Sequence, residues 1–224
     1  MIKICVSGCR GKMGQRILAL AKNDPQISVS GQFDIGENPE AFIKACDCLV
    51  EFTAPHATIE HLALCEKYKK AIVIGTTGLS DAEKGKIRSA SAKIPVVFSP
   101  NMSVGVNLLF KMVKDVASVF GKDHNISITE AHHVHKKDSP SGTAKELSRI
   151  AKEAGATADI PIKAIREGEI VGDHTVIFDS PLDTITISHS AKTRDILAGG
   201  ALVAAKFITK KPKGLFTMQD VLGI

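Results

Sequence analysis

Tryptophan is absent from this 224-residue chain and tyrosine occurs once, at Tyr68, so aromatic residues make up only 4% of it. A core built this way is aliphatic, and the ring platforms on which single-stranded nucleic acid stacks are scarce. No apolar run approaches the roughly 18 to 20 residues of a membrane span. There is no CxxC pair, no H-E-x-x-H helix and no cysteine beyond Cys65. The five cysteines (Cys5, Cys9, Cys46, Cys48, Cys65) are odd in number and mostly lie in or beside apolar, strand-like runs. They read as reduced core thiols rather than a disulfide framework. The opening MIKICVSG is too short and too glycine-bounded for a signal peptide, so a cytoplasmic location is expected. Repeats, low-complexity tracts and Gly/Ser linkers are also missing.

An excess of one charge sign is lacking too. Lys and Arg number 29 against 24 Asp and Glu, for a net +5. Through Ser103 there are 13 basic and 10 acidic residues, and after it 16 and 14. Neither half is a basic patch, which speaks for anionic small molecules and against nucleic acid as a partner. What is present is an ordinary globular balance, 44% hydrophobic and 24% charged. The length suits one large domain or two small ones.

Periodicity then divides the chain. Strand-like runs at 2–7, 27–33, 48–52, 71–74 and 95–98 alternate with helical patterns at 15–21, 39–45, 56–69 and from Ser80 to about Ala92. Ser80 and Glu83 form a capping-box signature for the last of these. Strands alternating with helices predict a parallel, doubly wound α/β sheet. The second half predicts a long helix at 103–120, a strand at 126–131, a helix at 141–154, three consecutive strands (160–167, 174–178, 184–189) and a helix at 196–208. Strands without crossover helices predict an α+β domain with a mixed or antiparallel sheet. A hinge is expected near Asn101–Ser103.

Gly8-Cys9-Arg10-Gly11-Lys12-Met13-Gly14 follows the first strand and opens the first helix. Glycines let the backbone turn tightly and approach a pyrophosphate, whose charge then meets the positive end of the helix. Asp34 comes 20 residues after Gly14, at the end of the second strand, where a carboxylate accepts ribose hydroxyls. The next residue is Ile35 rather than an arginine. That favours NADH over NADPH, although Arg10 and Lys12 lie near enough in sequence to meet a 2′-phosphate. Phe52-Thr53 and Gly75-Thr76-Thr77-Gly78 end two further strands. In an open parallel sheet such tips border the ligand.

The stretch from Glu130 to Thr143 holds His132, His133, His135, Lys136 and Lys137. A metal site is not expected, because neighbouring side chains in an extended segment point oppositely. Proton chemistry on an anion is the alternative: imidazole exchanges protons near neutrality, and lysine supplies fixed positive charge. Ser141-Gly142-Thr143 opens a helix, so its unpaired amides and hydroxyls form an anion seat.

Together these words resemble the 4-hydroxy-tetrahydrodipicolinate reductase (dihydrodipicolinate reductase) family of the diaminopimelate route to lysine. The matching words are GCRGKMG at 8–14, EFTAPHAT at 51–58, VIGTTG at 73–78, SPNMSVGVN at 99–107, EAHHVHKKDSPSGTA at 130–144 and GLFTMQDVL at 214–222. The resemblance implies NAD(P)H-dependent reduction of the hydroxy-tetrahydrodipicolinate to tetrahydrodipicolinate with loss of water. It implies His132 as general acid/base with Lys136 as its partner, and His133, Lys136, Ser141, Gly142 and Thr143 as the seat of the substrate's carboxylates. It implies nucleotide contacts at Gly8, Cys9, Arg10, Gly11, Lys12, Met13, Asp34, Phe52, Thr53, Gly75, Thr76, Thr77, Ser99, Pro100, Asn101 and Met102. The implied architecture is a Rossmann-like domain of residues 1–102 and 194–224, a substrate and assembly domain of residues 103–193, and a homotetramer. Two departures stand out: the segment after Asp34 reaches the third strand quickly, and the strands around 160–172 are short for the family. Both look like loop trimming. With an acidic then an apolar residue at 34–35, use of both NADH and NADPH stays open.

Two rival readings fare worse. A semialdehyde dehydrogenase wants a nucleophilic cysteine in its catalytic half, and none follows Cys65. A nucleic-acid-binding redox regulator wants a basic helix or groove, and the even charge split offers none.

Overall fold

In a parallel sheet covered on both sides, alternate residues of one strand must both be apolar, because they belong to different cores. The strands of the N-terminal half meet that demand. The structure, a computed structural model, describes residues 1–224. The chain runs β1 (Ile2–Ser7), α1 (Lys12–Ala21), β2 (Ile27–Phe33), α2 (Glu40–Ala45), β3 (Cys48–Glu51), α3 (Pro55–Tyr68), β4 (Ala71–Ile74), α4 (Asp81–Ser91) and β5 (Pro95–Phe98). It continues through α5 (Val104–Phe120), β6 (Asn125–His132), α6 (Gly142–Glu153), β7 (Ile162–Arg166), β8 (Gly172–Asp179) and β9 (Thr184–Ala191). It ends with α7 (Asp195–Ile208), β10 (Gly214–Phe216) and α8 (Met218–Leu222). Two compact units result: Met1–Val104 with Asp195–Ile224, and Gly105–Arg194.

The first unit is a six-stranded parallel sheet of order β10-β5-β4-β3-β1-β2. Ile4, Val6, Val50 and Val73 face one side, where Ile17 of α1 and Ala198, Ala201, Ala205 and Ile208 of α7 cover them. Cys5, Leu49, Ile72 and Ile74 face the other, beneath Ile43 of α2, Leu62 and Cys65 of α3 and Ile87 of α4. The free cysteines are all buried core side chains. The three residues of β10 pair in parallel with β5 and complete the sheet at that edge. Sequence periodicity missed this strand and α8. Three residues are too few to show alternation, and α8 has only five, capped by Thr217 and Asp220.

In the second unit the sheet order is β7-β6-β8-β9. β7 joins β6 in parallel through the α6 crossover, whereas β8 and β9 run antiparallel, so the sheet is mixed. Helices α5 and α6 bring Leu109, Val113, Leu147 and Ala151 onto a face made by Ile126, Ile128, Val176 and Phe178. Along β6 that face continues from Ile126 and Ile128 to Glu130 and His132, all buried. On β8 it continues from Phe178 and Val176 to His174. One end of an apolar stripe has turned polar, and the chemistry collects there. The architecture is thus a Rossmann-like α/β unit and an α+β unit.

Candidate functional site

The first unit's strand order reverses between β1 and β3: the chain moves from β1 out to β2, then crosses back to β3 on the far side. Such a switch point opens a crevice at the carboxyl ends of the strands. A cavity of about 540 Å3 lies there, walled by Gly8 after β1, Asp34 and Glu37 after β2, and Thr53 and His61 from β3 and α3. Gly8 sits at φ +69, and a Cβ on it would fall 2.9 Å from the Phe52 carbonyl oxygen. A Cβ on Gly14 would fall 2.1 Å from the Gly8 oxygen, so α1 starts hard against the turn. The helix already begins at Lys12, three residues ahead of the periodic signal, with Gly11 as a cap that has no side chain. Its first-turn amides therefore have no intrahelical acceptor and point toward the turn, at the positive end of the helix dipole. A diphosphate fits such a cradle, which any Cβ would fill.

Asp34 holds the loop. Its Oδ2 accepts the Arg10 N–H at 2.7 Å and its Oδ1 accepts the Ile35 N–H at 2.8 Å. These two amides, Arg10 first, hold its carboxyl below the ordinary range. Each oxygen keeps a lone pair for a ribose hydroxyl. Glu37 accepts the Asp34 N–H at 2.8 Å and the Arg10 guanidinium at 2.6 Å.

Behind the cavity, fully buried Glu51 bonds His61 Nδ1 at 2.7 Å and accepts the Thr53 hydroxyl. The Thr53 N–H donates to Thr76 Oγ1 at 3.2 Å. The Phe52 ring covers Gly75, where a Cβ would lie 2.3 Å away. Phe52, Thr53, Gly75 and Thr76 thus converge at the ends of β3 and β4, while Thr77 is exposed. Cys9 is buried under the turn. Ser99 is buried and donates to the Asn101 carbonyl at 2.8 Å, and Pro100 is exposed. The Met102 side chain belongs to the core of the unit, against α7.

The second unit gathers its polar groups around Glu130, which has no exposed surface. Glu130 Oε2 meets His132 Nδ1 at 2.5 Å and Arg166 Nη1 at 3.0 Å. Its Oε1 accepts Arg166 Nη2 at 2.9 Å and the Ser141 N–H at 3.1 Å. Burial pushes the Glu130 carboxyl up, but Arg166, His132 and the Ser141 amide outweigh it and leave it below the usual value. With Nδ1 engaged, His132 turns Nε2 toward Gly172, where a Cβ would come within 3.0 Å. Burial lowers the His132 pKa against the opposing pull of Glu130. His174 stands edge-on to His132 at 5.1 Å between ring centroids, and burial pushes its pKa down to about 4, so it is neutral at pH 7.

Ser141 caps α6: its Oγ accepts the Ala144 N–H at 3.2 Å and lies 3.3 Å from His174 Nε2. Gly142 is exposed at the helix start and Thr143 half-buried. Lys136 pairs with Asp138 at 2.8 Å. The His133 Nδ1 is buried without a hydrogen-bond partner, and its Nε2 accepts from Arg194 at 3.4 Å. His132 is the last residue of β6 rather than part of the loop. His174 touches both His132 and Ser141, and Glu130 bonds both, whereas Lys136 reaches Asp138 on the adjoining turn. Sequence reasoning missed Glu37, Glu130, Arg166, Gly172 and His174. The signal for Glu130 was there, since residues two apart on a strand share a face. No group of His, Cys, Asp and Glu side chains has metal-holding geometry.

A family model described as dihydrodipicolinate reductase, N-terminus, matches residues 2–102, and one described as dihydrodipicolinate reductase, C-terminus, matches residues 105–222. The 4-hydroxy-tetrahydrodipicolinate reductase of Trichlorobacter lovleyi is 38% identical, with 100% of each chain covered. That of Chromohalobacter salexigens is also 38% identical, covering 100% of this chain and 99% of the relative. Among solved structures, a dipicolinate-bound dihydrodipicolinate reductase from Paenisporosarcina sp. TG-14 superposes with a TM-score of 0.85, at 24% identity and 98% coverage of both chains. With both halves matched by family models and relatives this similar along the whole length, the chain belongs to the dihydrodipicolinate reductase family.

Proposed function

We propose that the chain reduces 4-hydroxy-tetrahydrodipicolinate to tetrahydrodipicolinate in lysine biosynthesis by the diaminopimelate route. The substrate loses its 4-hydroxyl as water and gains one hydride and one proton, while NAD(P)H becomes NAD(P)+. Family membership carries the reaction, and the buried Glu130–His132 pair is the observation that supports a role for this chain's own residues. The nicotinamide cofactor supplies the hydride when bound. The glycine turn, the open start of α1 and Asp34 suit its diphosphate and ribose, and the remaining cofactor contacts proposed are Cys9, Arg10, Phe52, Thr53, Gly75, Thr76, Thr77 and the 99–102 segment.

His132 acts as the acid/base. Glu130 holds Nδ1, so the exchangeable proton sits on Nε2, beside the space that Gly172 leaves. Burial makes that proton easier to give than one on a solvated imidazolium. The dicarboxylate is gripped by the α6 amides at Gly142 and Thr143, by Ser141, by His133 through its unpartnered Nδ1, and by Lys136. The ammonium of Lys136 leaves Asp138 for a substrate carboxylate and aids protonation of the reduced intermediate.

NADH is the preferred cofactor in this proposal, because Asp34 accepts ribose hydroxyls and Ile35, 93% exposed, offers no charge to a 2′-phosphate. A homotetramer in the cytoplasm completes it, and light scattering reads the assembly. No helix is long and apolar enough to cross a membrane. The test supplies enzymatically generated hydroxy-tetrahydrodipicolinate and follows loss of nicotinamide absorbance. Oxidation of cofactor only when that substrate is present is the expected result, with His132→Gln lowering kcat by about 10²–10⁴. No substrate-dependent oxidation of either cofactor refutes the proposal.

A further inference from the structure

Glu37 is positioned to do more than brace a turn. Its Oε2 accepts the Asp34 N–H at 2.8 Å, while its Oε1 takes the Arg10 guanidinium at 2.6 Å. Arg10 is the one cation in the glycine turn that touches the Asp34 loop, through its own amide at 2.7 Å from Asp34 Oδ2. The cavity wall therefore carries the carboxylates of Asp34, Glu37 and Glu60, and the one guanidinium held to it, that of Arg10, is bound to Glu37. A ribose 2′-hydroxyl meets an acceptor there. A 2′-phosphate meets net negative charge, and the arginine that could neutralise it is already paired.

We infer that Glu37 is a cofactor-specificity residue, which excludes NADPH by occupying Arg10 and by adding its own charge beside Asp34. This rests on the nicotinamide-dependent reading above. The Arg10 and Glu37 side chains are 69% and 39% exposed. An exposed pair of this kind adds little to folding, so its consequence falls on the ligand. The 2′-phosphate carries up to two negative charges, and each close like-charge contact weakens its binding.

Glu37→Gln separates the two jobs. The glutamine carbonyl still accepts the Asp34 N–H, so the loop keeps its brace, while the charge that holds Arg10 is gone. The experiment measures kcat/KM for NADH and NADPH side by side in the parent, Glu37→Gln, Arg10→Gln and the double variant, at low and high salt. Glu37→Gln is expected to raise the NADPH-to-NADH ratio roughly tenfold. The double variant loses that gain, and high salt shrinks it. Arg10→Gln alone leaves both carboxylates unopposed and lowers the ratio below the parent's. A ratio that moves less than about twofold in Glu37→Gln, or a double variant whose ratio stands as high as that of Glu37→Gln, overturns the inference. Fluorescence titration of NADH and NADPH without substrate reads the same ratio as binding, so failure here stays distinct from absence of the reductase reaction.

Discussion

Glu130→Gln is the most informative single change, because it separates the fold of the second unit from its chemistry. The parent carboxylate has no exposed surface and is met by two nitrogens of Arg166, the Ser141 amide and His132. Gln keeps the shape and one acceptor but leaves the Arg166 charge, on a side chain only 20% exposed, without its counter-ion. Breaking a buried pair from one side costs about 3–5 kcal/mol. The partial exposure of Arg166 and the retained acceptor place this case at the low end, about 3 kcal/mol. For a unit of this size that lowers Tm on the order of 15 °C. Kinetics add what stability does not show. Without the carboxylate the His132 tautomer is no longer set, and kcat falls by about 10²-fold or more. Glu130 also raises the His132 pKa, so its removal lowers that pKa. Activity that needs protonated His132 is lost as pH rises through this pKa, so the basic limb of kcat/KM moves to lower pH in the variant. Thermal unfolding and a pH–rate profile, run below the variant's Tm, are the assays. A destabilised enzyme whose basic limb has not moved would show that Glu130 only holds the fold, and the argument for tautomer control would fail.

Three other outcomes are expected. Gly14→Ala places a methyl 2.1 Å from the Gly8 oxygen; stability drops by about 1–3 kcal/mol and the NADH Kd rises roughly tenfold or more by fluorescence titration. His174 has a folded pKa of about 4 against an ordinary value of 6.5. The unfolded chain therefore takes up its proton first as the pH falls. The stability it lends is whole above about pH 6.5 and is lost down through pH 4, at most about 3 kcal/mol. Urea midpoints at pH 7 and pH 4.5 should show that loss in the parent and a smaller one in His174→Asn. Ser141→Ala removes the α6 cap at about 1 kcal/mol and raises the substrate KM more than it lowers kcat. Equal KM values would remove Ser141 from the carboxylate seat.

The legible and illegible parts of this protein differ by the distance over which the signal is written. The glycine turn, the capping box at Ser80 and the short apolar runs of β1 to β5 are local, and the sequence shows them almost to the residue. β10 is too short to carry a period and exists because β5 offers it an edge. The partners of Glu130 were hidden for a different reason. Arg166 lies 36 residues away on β7, and His174 meets Ser141 across 33 residues. Only the sheet register, which pairs Glu130 with His174, brings them side by side. Buried polar groups need partners, but a lone sequence does not say which strand supplies them. Glu37 was overlooked for a smaller reason: it reads as a loop acid until the turn folds it back onto Arg10.

The order of elements along the chain bears on how the protein is made. Helix α7 and strand β10 belong to the first unit, yet they follow all of Gly105–Arg194. A ribosome thus delivers β1 to β5 early but leaves the face formed by Val6, Val50 and Val73 without its α7 cover until the second unit has been synthesised. The second unit is contiguous and is ready to fold as soon as Arg194 has left the exit tunnel. The first waits with an apolar sheet face open, the kind of surface that chaperones hold and neighbouring nascent chains stick to.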